Sequence, residues 1–509
     1  MTSPRRACAI TPVDEQGLLA PRDEPLTRRR LLQAGGAIGA FSTAGCDVMK
    51  RRPDGGDGTT AESESPPTSI IEDLAQRTFR FFWETTNPKN GLTPDRWPRP
   101  SPSSIAAIGF ALTAYCIGVE RSYVTRDEAR SRTLVTLRFL LELPQGPGKG
   151  VAGYKGFFYH FLEMDTGLRA GDCELSTVDT ALLLCGALHA QAFFDSDHPE
   201  EVHIRRVVNE LTTRVDWRWG QTRPPAIALG WTPEKGFIPY DWRGYNEAAI
   251  VYLLAMGHPT RPLNGNAWTA WTKDFHLNWS TFHGQQGLSF PPLFGHQYSN
   301  IWVDFRDLRD AFSRRHNLDY AENSRRAAYA QRAYSMLNPL GWRGYDADVW
   351  GLTACDGPAN MIAPYRGQPR RFYAYAARGA GGGKVASVDD GTIAPTAATS
   401  SIAFAPDIAI PAIITMMRRY GSQIYGKYGF VDAFNPSFHF ETTHLSYGKV
   451  VRGFGWVDTD YLGIDQGPIL AMIANFTNGS VWQTMTKCAQ LRRGLLRAGF
   501  SGGWLEEEG

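Results

Sequence analysis

The sequence predicts an all-α fold, a toroid in which an inner ring of helices is wrapped by an outer one. Three observations carry that expectation. Helices of two kinds alternate along the chain, some apolar nearly all round and others charged along one side. A helix that is apolar all round must be covered on every side, whereas an amphipathic one covers something and faces water. The segments leading into the apolar helices are long and rich in aromatic, glycine and acidic residues, while those leaving them tend to be shorter. Chemistry would therefore collect at one end of the ring.

In chain order, the first 68 residues read as lying outside the fold. Thr27-Arg28-Arg29-Arg30-Leu31-Leu32, with the short and weakly apolar stretch behind it, has the form of a twin-arginine export signal. That stretch is too short to span a bilayer. Cys46, in Thr43-Ala44-Gly45-Cys46, stands where a lipoprotein would be cleaved and acylated, although Thr43 replaces the usual leucine. Residues 1–46 are thus expected to be the signal and 47–68, rich in Asp, Gly, Ser and Pro, a flexible tether. The catalytic domain would run over 69–500, with 501–509 as a tail. The protein is expected at the periplasmic or cell surface, held by a lipid anchor and monomeric. A disordered basic tail on a cytoplasmic protein is the plainer alternative.

From Ser69 onward, amphipathic helices are expected over Ile70–Glu84, Arg126–Glu142, Pro199–Val215 and Tyr320–Leu337. Apolar ones are expected over Ile105–Val119, Thr177–Phe194, Asn246–Met256 and Ile464–Phe476. Inner helices would start near Ile105, Asp179, Glu247, Asn300, Thr396 and Asp465. Between residues 397 and 420, Pro406 and Pro411 blur where an inner helix ends and an outer one begins.

Composition narrows the function. Lys and Arg total 53 against 51 for Asp and Glu, a balance that argues against a nucleic-acid binder. The 15 Trp, 20 Tyr and 27 Phe would suit stacking surfaces for a sugar and a large core equally. Five cysteines lie beyond the tether, an odd number without a C-x-x-C pair, so neither a disulfide framework nor a zinc site is expected. There is no Gly-x-Ser-x-Gly elbow and no His-Glu-x-x-His motif, and the glycine-rich Gly379–Gly383 lacks a following Lys-Ser/Thr. No cofactor and no metal are expected.

Carboxylates remain. Glu247 lies in Gly230–Gly257, a loop of Trp231, Phe237, Tyr240, Trp242 and Tyr245 that turns into an apolar run closed by Gly257 and Pro259. With Asn246 as N-cap, Glu247 would sit in the first turn of a buried helix. It could simply answer the helix dipole, or it could be a general acid whose pKa apolar walls raise. Other acids recur at or just before apolar helices: Glu174, Asp179, Asp432, Asp458, Asp460 and Asp465. Each alone reads as a cap or loop charge; together, at one end of a ring, they supply the carboxylate pair that glycoside hydrolysis needs.

Several stretches resemble the bacterial glycoamylase-like family. They are Asn-Pro-Lys-Asn-Gly-Leu-Thr-Pro-Asp-Arg-Trp-Pro from residue 87, Ser-Thr-Val-Asp-Thr-Ala-Leu-Leu-Leu, Gly-Tyr-Asn-Glu-Ala and Pro-Leu-Phe-Gly-His-Gln-Tyr-Ser. Further on come Trp-Gly-Leu-Thr-Ala-Cys-Asp-Gly-Pro, Asp-Gly-Thr-Ile-Ala-Pro-Thr-Ala-Ala and Tyr-Leu-Gly-Ile-Asp-Gln-Gly-Pro-Ile. The resemblance runs in family order over roughly residues 70–490 and implies an (α/α)6 toroid. It also implies an inverting β-1,2-glucanase, or a glycosyl-transferring enzyme like the related domains of cyclic β-1,2-glucan synthases. A glycan-binding lipoprotein without turnover is the non-enzyme alternative. Under this resemblance Glu247 falls at the general acid, and Asp432, or failing it Asp465, would be the base. Asp95, Arg96, Glu174, Asp179, Trp242 and Tyr245 would hold the oligosaccharide or polysaccharide substrate.

Overall fold

The computed structural model describes residues 67–381, 387–440 and 445–506. The twin-arginine motif, Cys46 and the tether up to residue 66 lie outside the described residues. Helices dominate. In chain order they are α1 (Pro67–Thr85), α2 (Ile105–Glu120), α3 (Arg126–Glu142), α4 (Thr177–Phe193), α5 (Pro199–Thr213), α6 (Ala249–Gly257), α7 (Asn266–Thr272) and α8 (Phe275–Asn278). There follow α9 (Phe294–Trp302), α10 (Ala311–His316), α11 (Tyr320–Leu337), α12 (Pro395–Thr399), α13 (Pro406–Ile424), α14 (Gly463–Asn478), α15 (Ser480–Thr486) and α16 (Ala489–Arg497).

The apolar helices are buried as expected. Every residue of α2 from Ile105 to Gly118 is buried, as is α4 from Thr177 to Ala190. These two lie so close that a Cβ on Gly186 would stand 1.9 Å from the carbonyl oxygen of Gly109, an approach only glycine allows. The apolar helices touch one another in sequence. α2 packs on α4, and α4 on α6. The Ser299 hydroxyl of α9 donates to the carbonyl of Glu247 and accepts from the Ile250 N–H of α6. Gln297 of α9 donates to the carbonyl of Ala397 in α12. Thr396 in turn donates to the Asp465 carbonyl of α14, and α14 returns to α2 where Gly467 meets Phe110. Amphipathic helices lie outside: α3 against α2 and α5, α5 against α4, α11 against α9, and α1 against α2 and α14.

Local signals account for the clean boundaries. Thr125 and Glu128 form a reciprocal capping box at α3, and Asp319 caps α11, which ends at Asn338 in the left-handed region. Arg214, at the end of α5, donates to the Leu140 and Leu141 carbonyls and so completes the C-terminus of α3.

The structure corrects several boundaries. The first helix begins at Pro67, two residues inside the expected tether, and residues 501–506 are no loose tail: Ser501 pairs with Arg309 and Leu505 is buried. The helix expected to start near Asn300 starts at Phe294, shortly behind Pro291-Pro292. α12 ends at Thr399 and α13 opens on Pro406, with Pro411 inside it. The fold is mostly helical rather than purely so. The connecting loops hold small antiparallel sheets of two or three strands, which pair the backbone groups of chain crossing a largely buried end.

Candidate active site

The loop strands gather the starts of the apolar helices. Arg96-Trp97, ahead of α2, pairs with Tyr461-Leu462, ahead of α14, and Ser103-Ser104 pairs with Phe161-Leu162. Leu175-Ser176, ahead of α4, pairs with Gly230-Trp231, while Ile393, ahead of α12, bridges to Phe434. Acids from distant parts of the chain therefore meet.

The densest meeting is around Asp432, which is wholly buried. Its N–H donates to the Asp460 carbonyl at 3.0 Å, and its Oδ2 accepts from the Asp356 N–H at 2.7 Å. Its side chain also lies within hydrogen-bonding contact of the Asp465 carboxyl, a contact that needs one of the two acids to carry a proton. Carboxylate oxygens of Asp356, Asp432 and Asp458 all lie within 4.8 Å of one another, a spacing that could hold a divalent cation. Burial pushes the Asp432 carboxyl well above the usual carboxylate range, and the neighbouring charges of Asp465 and Asp356 push the same way. Asp458 is raised likewise, by burial and then by Asp356, Asp432 and Asp460.

Positive charge comes from Arg96 and Arg99. Arg96 Nη1 donates to Asp356 Oδ2 at 2.5 Å and lies 3.5 Å from Asp460 Oδ2, while its Nε reaches Asp95 at 3.2 Å. Arg99 contacts Asp460 Oδ2 at 2.7 Å. Both guanidinium groups lie over the Tyr447 ring. Burial also raises Asp356, an effect the Arg96 charge opposes.

A second group stands at the start of α4. His160 Nδ1 lies 3.1 Å from Glu174 Oε1 and its Nε2 lies 3.7 Å from Asp179 Oδ2. The Ser176 hydroxyl, which caps α4, also donates to Asp179 Oδ2. The His160 ring is stacked on Phe161. Glu174 and Asp179 are nearly covered, at 5% and 4% exposure.

Glu247 is 4% exposed and sits two residues ahead of α6, not in its first turn. Asn246 does not cap the helix: its Oδ1 accepts from the Ala248 N–H and from Trp271 Nε1, so it secures the turn instead. Glu247 still lies at the N-terminal end of α6, directly ahead of Ala248.

Two expected substrate contacts are core residues. Trp242 is 1% exposed, with Nε1 donating to the Thr177 hydroxyl. Tyr245 is 4% exposed and packed among Trp271, Phe275, His296 and Tyr320. Neither leaves a ring face for a sugar. The structure brings Asp432 and Asp465 together, with Asp95 and Arg96 beside them, and Glu174 with Asp179. Sequence reasoning missed Asp356, Arg99 and His160. Asp356 lay within a quoted stretch, Cys-Asp-Gly-Pro, but nothing local distinguished it from a loop charge.

With this geometry in hand, comparisons with known proteins agree with the resemblance read from the sequence. Residues 239–489 match the Glycoamylase family model, described as "Putative glucoamylase". The exo β-1,2-glucooligosaccharide sophorohydrolase (non-reducing end) of Parabacteroides distasonis is 26% identical over 458 residues. That match covers 84% of this chain and 57% of the relative, so the chain spans little more than half of the relative's length. Among solved structures, the endo-β-1,2-glucanase of Chitinophaga pinensis, in complex with sophorotriose and glucose, is 25% identical with a TM-score of 0.74. It covers 87% of this chain and 100% of its own. A Bacteroides uniformis structure described as a glucoamylase of the same provisional kind is 29% identical, with a TM-score of 0.73 over 87% and 100% of the two chains.

Proposed function

From a chain whose residues 239–489 carry the glycoamylase-family match, we propose a glycoside hydrolase that cleaves β-1,2-linked glucan with inversion in an (α/α)6 toroid. The observation that carries this reading is the buried carboxylate cluster around Asp432, gathered by the loops of the same end that holds Glu247. The closed succession α2, α4, α6, α9, α12, α14 and back to α2 supports the toroid. The sophorohydrolase and endo-glucanase relatives support the linkage.

In this mechanism Glu247 protonates the glycosidic oxygen while Asp432, ionised, takes a proton from the attacking water. Inversion needs the two carboxyl groups roughly 6.5–9.5 Å apart, so that the water fits between base and anomeric carbon. Burial, and then the charges of Asp465 and Asp356, keep the proton affinity of Asp432 high, which suits a base that must hold a proton in the transition state. Asp95, Arg96, Glu174 and Asp179 offer hydrogen bonds to sugar hydroxyls. The product profile on linear β-1,2-glucan tests the function. Short oligosaccharides whose new reducing end appears first as the α-anomer are expected. Products longer than the substrate indicate transfer, and tight binding without new reducing ends indicates a binding protein.

Export through Arg28-Arg29 with acylation at Cys46 is part of the same proposal, motivated by the sequence alone. Arg28→Lys with Arg29→Lys should leave the precursor in the cytoplasm, and Cys46→Ala should release the protein from the membrane. Unaltered membrane association of both variants sinks it.

A further inference from the structure

Arg378 and Asp390 form an ion pair with neither side chain exposed to solvent. Nε donates to Oδ1 at 2.7 Å and Nη2 to Oδ2 at 2.9 Å, the paired geometry that a planar guanidinium favours. The remaining donor capacity goes to backbone. Nη1 reaches the carbonyl oxygens of Cys355 at 2.7 Å and Asp356 at 3.2 Å, and Nη2 reaches that of Tyr373 at 3.1 Å. Asp390 is held in turn by the N–H groups of Tyr373 and Thr392. Its own carbonyl accepts from Asn435 Nδ2 at 2.9 Å, and the neighbouring Ile393 exchanges hydrogen bonds with Phe434 in both directions.

The pair thus grips two separate segments. One carries the Asp356 N–H, and the other, three residues before Asn435, carries Asp432. The donor and the acceptor of the Asp356–Asp432 bond are positioned by the same buried clamp.

Stability alone does not account for such a pair. Desolvating two charges offsets most of their attraction, and apolar residues of similar volume often do as well or better. What an apolar side chain cannot do is hold the carbonyl oxygens of Cys355, Asp356 and Tyr373 together.

We propose that Arg378 is a positioning residue for Asp432, acting through the Asp356 peptide. This rests on the reading of Asp432 as the base. The Asp356 N–H commits Oδ2 to the backbone and so fixes the rotation of the carboxylate. It also favours the ionised carboxylate, against burial and the Asp465 and Asp356 charges that favour protonation. Loosening the clamp turns the peptide, frees the carboxylate to rotate and makes its proton harder to remove.

The test uses Arg378→Lys in the full chain, which keeps the charge and loses the fork. Its crystal structure should show the Asp356 N to Asp432 Oδ2 distance lengthened beyond hydrogen-bond reach. On β-1,2-glucan, kcat should fall about 10–100-fold, the scale of an ångström-sized misplacement, with KM changed less than about threefold. The acidic limb of the kcat profile should move to higher pH. Distance and limb must move together; either one staying in place overturns the proposal, whatever the melting temperature does. If Arg378→Lys does not fold, Asp390→Asn is judged by the same readouts. Wild-type protein inactive on β-1,2-glucan defeats the functional reading, and the crystallographic distance then decides this one alone.

Discussion

The peptide N–H of Asp356 donates to Oδ2 of Asp432 at 2.7 Å, although the two residues stand 76 apart in the chain. A carboxylate bound this way has one oxygen committed to backbone, while the carboxyl also lies in hydrogen-bonding contact with the Asp465 side chain. Two buried acids this close repel each other when both are ionised, an arrangement found more often at working sites than in merely structural ones.

Glu247→Gln keeps the shape of the side chain but cannot deliver a proton. Hydrolysis should drop roughly 10²–10⁴-fold with an unchanged circular dichroism spectrum, the range of general acid catalysis. A variant retaining most of its turnover assigns Glu247 a structural task.

Asp465→Asn should move the acidic limb of the pH–rate profile to lower pH. Burial raises the Asp432 carboxyl most and the Asp465 charge adds to it; removing that charge lets Asp432 ionise in more acidic solution. A limb displaced upward, or unmoved in an active variant, shows that another group controls it.

Asp458→Asn should be more stable than the parent at pH 7, with the difference shrinking as the pH falls toward 4. Burial, then Asp356, Asp432 and Asp460, raise the folded-state value above that of the unfolded chain. Such a group contributes fully when protonated, below the unfolded pKa of about 3.9, and the contribution is lost as pH rises through the folded value. Thermal melts at the two pH values measure this. A variant that is less stable than the parent at pH 7 contradicts it.

Trp242→Phe should act on stability and not on substrate binding. It removes a buried hydrogen bond and part of a packed ring, a loss of about 1–3 kcal/mol in denaturant titrations. KM should stay within about twofold; a large rise in KM would restore Trp242 as a sugar contact.

Much of the helical frame was legible because its signals are local. Arg126–Glu142 and Tyr320–Leu337 were read to the residue, each with a cap beside an amphipathic stripe. Asn246 shows the limit. It has the chemistry of a cap, but Trp271 Nε1 claims the same oxygen, and the helix starts later. The acids were legible as a set and not as a geometry. Asp432 and Asp465 could be nominated because they border apolar runs, whereas Asp356 ends a three-residue strand and His160 lies in a loop, and both acquire their neighbours only through tertiary packing. Trp242 and Tyr245 fell on the wrong side of an ambiguity that composition leaves open, since an aromatic residue beside a cleft serves a core as readily as a ligand.

The return of α14 to α2 has a consequence for synthesis. Gly467 meets Phe110 and Gly463 meets Ala107, so one seam joins segments more than 350 residues apart in a chain of 509. Until α14 leaves the ribosome, one apolar flank of α2 has no neighbour, and the strand at Tyr461-Leu462 cannot pair with Arg96-Trp97. Folding therefore cannot be completed piecemeal behind the growing chain, and long-range closure of this kind is slow. The nascent protein must spend that interval with sticky surface exposed, which makes it a natural client of holding chaperones. A premature stop anywhere before residue 463 would leave α2 without the neighbour that α14 provides.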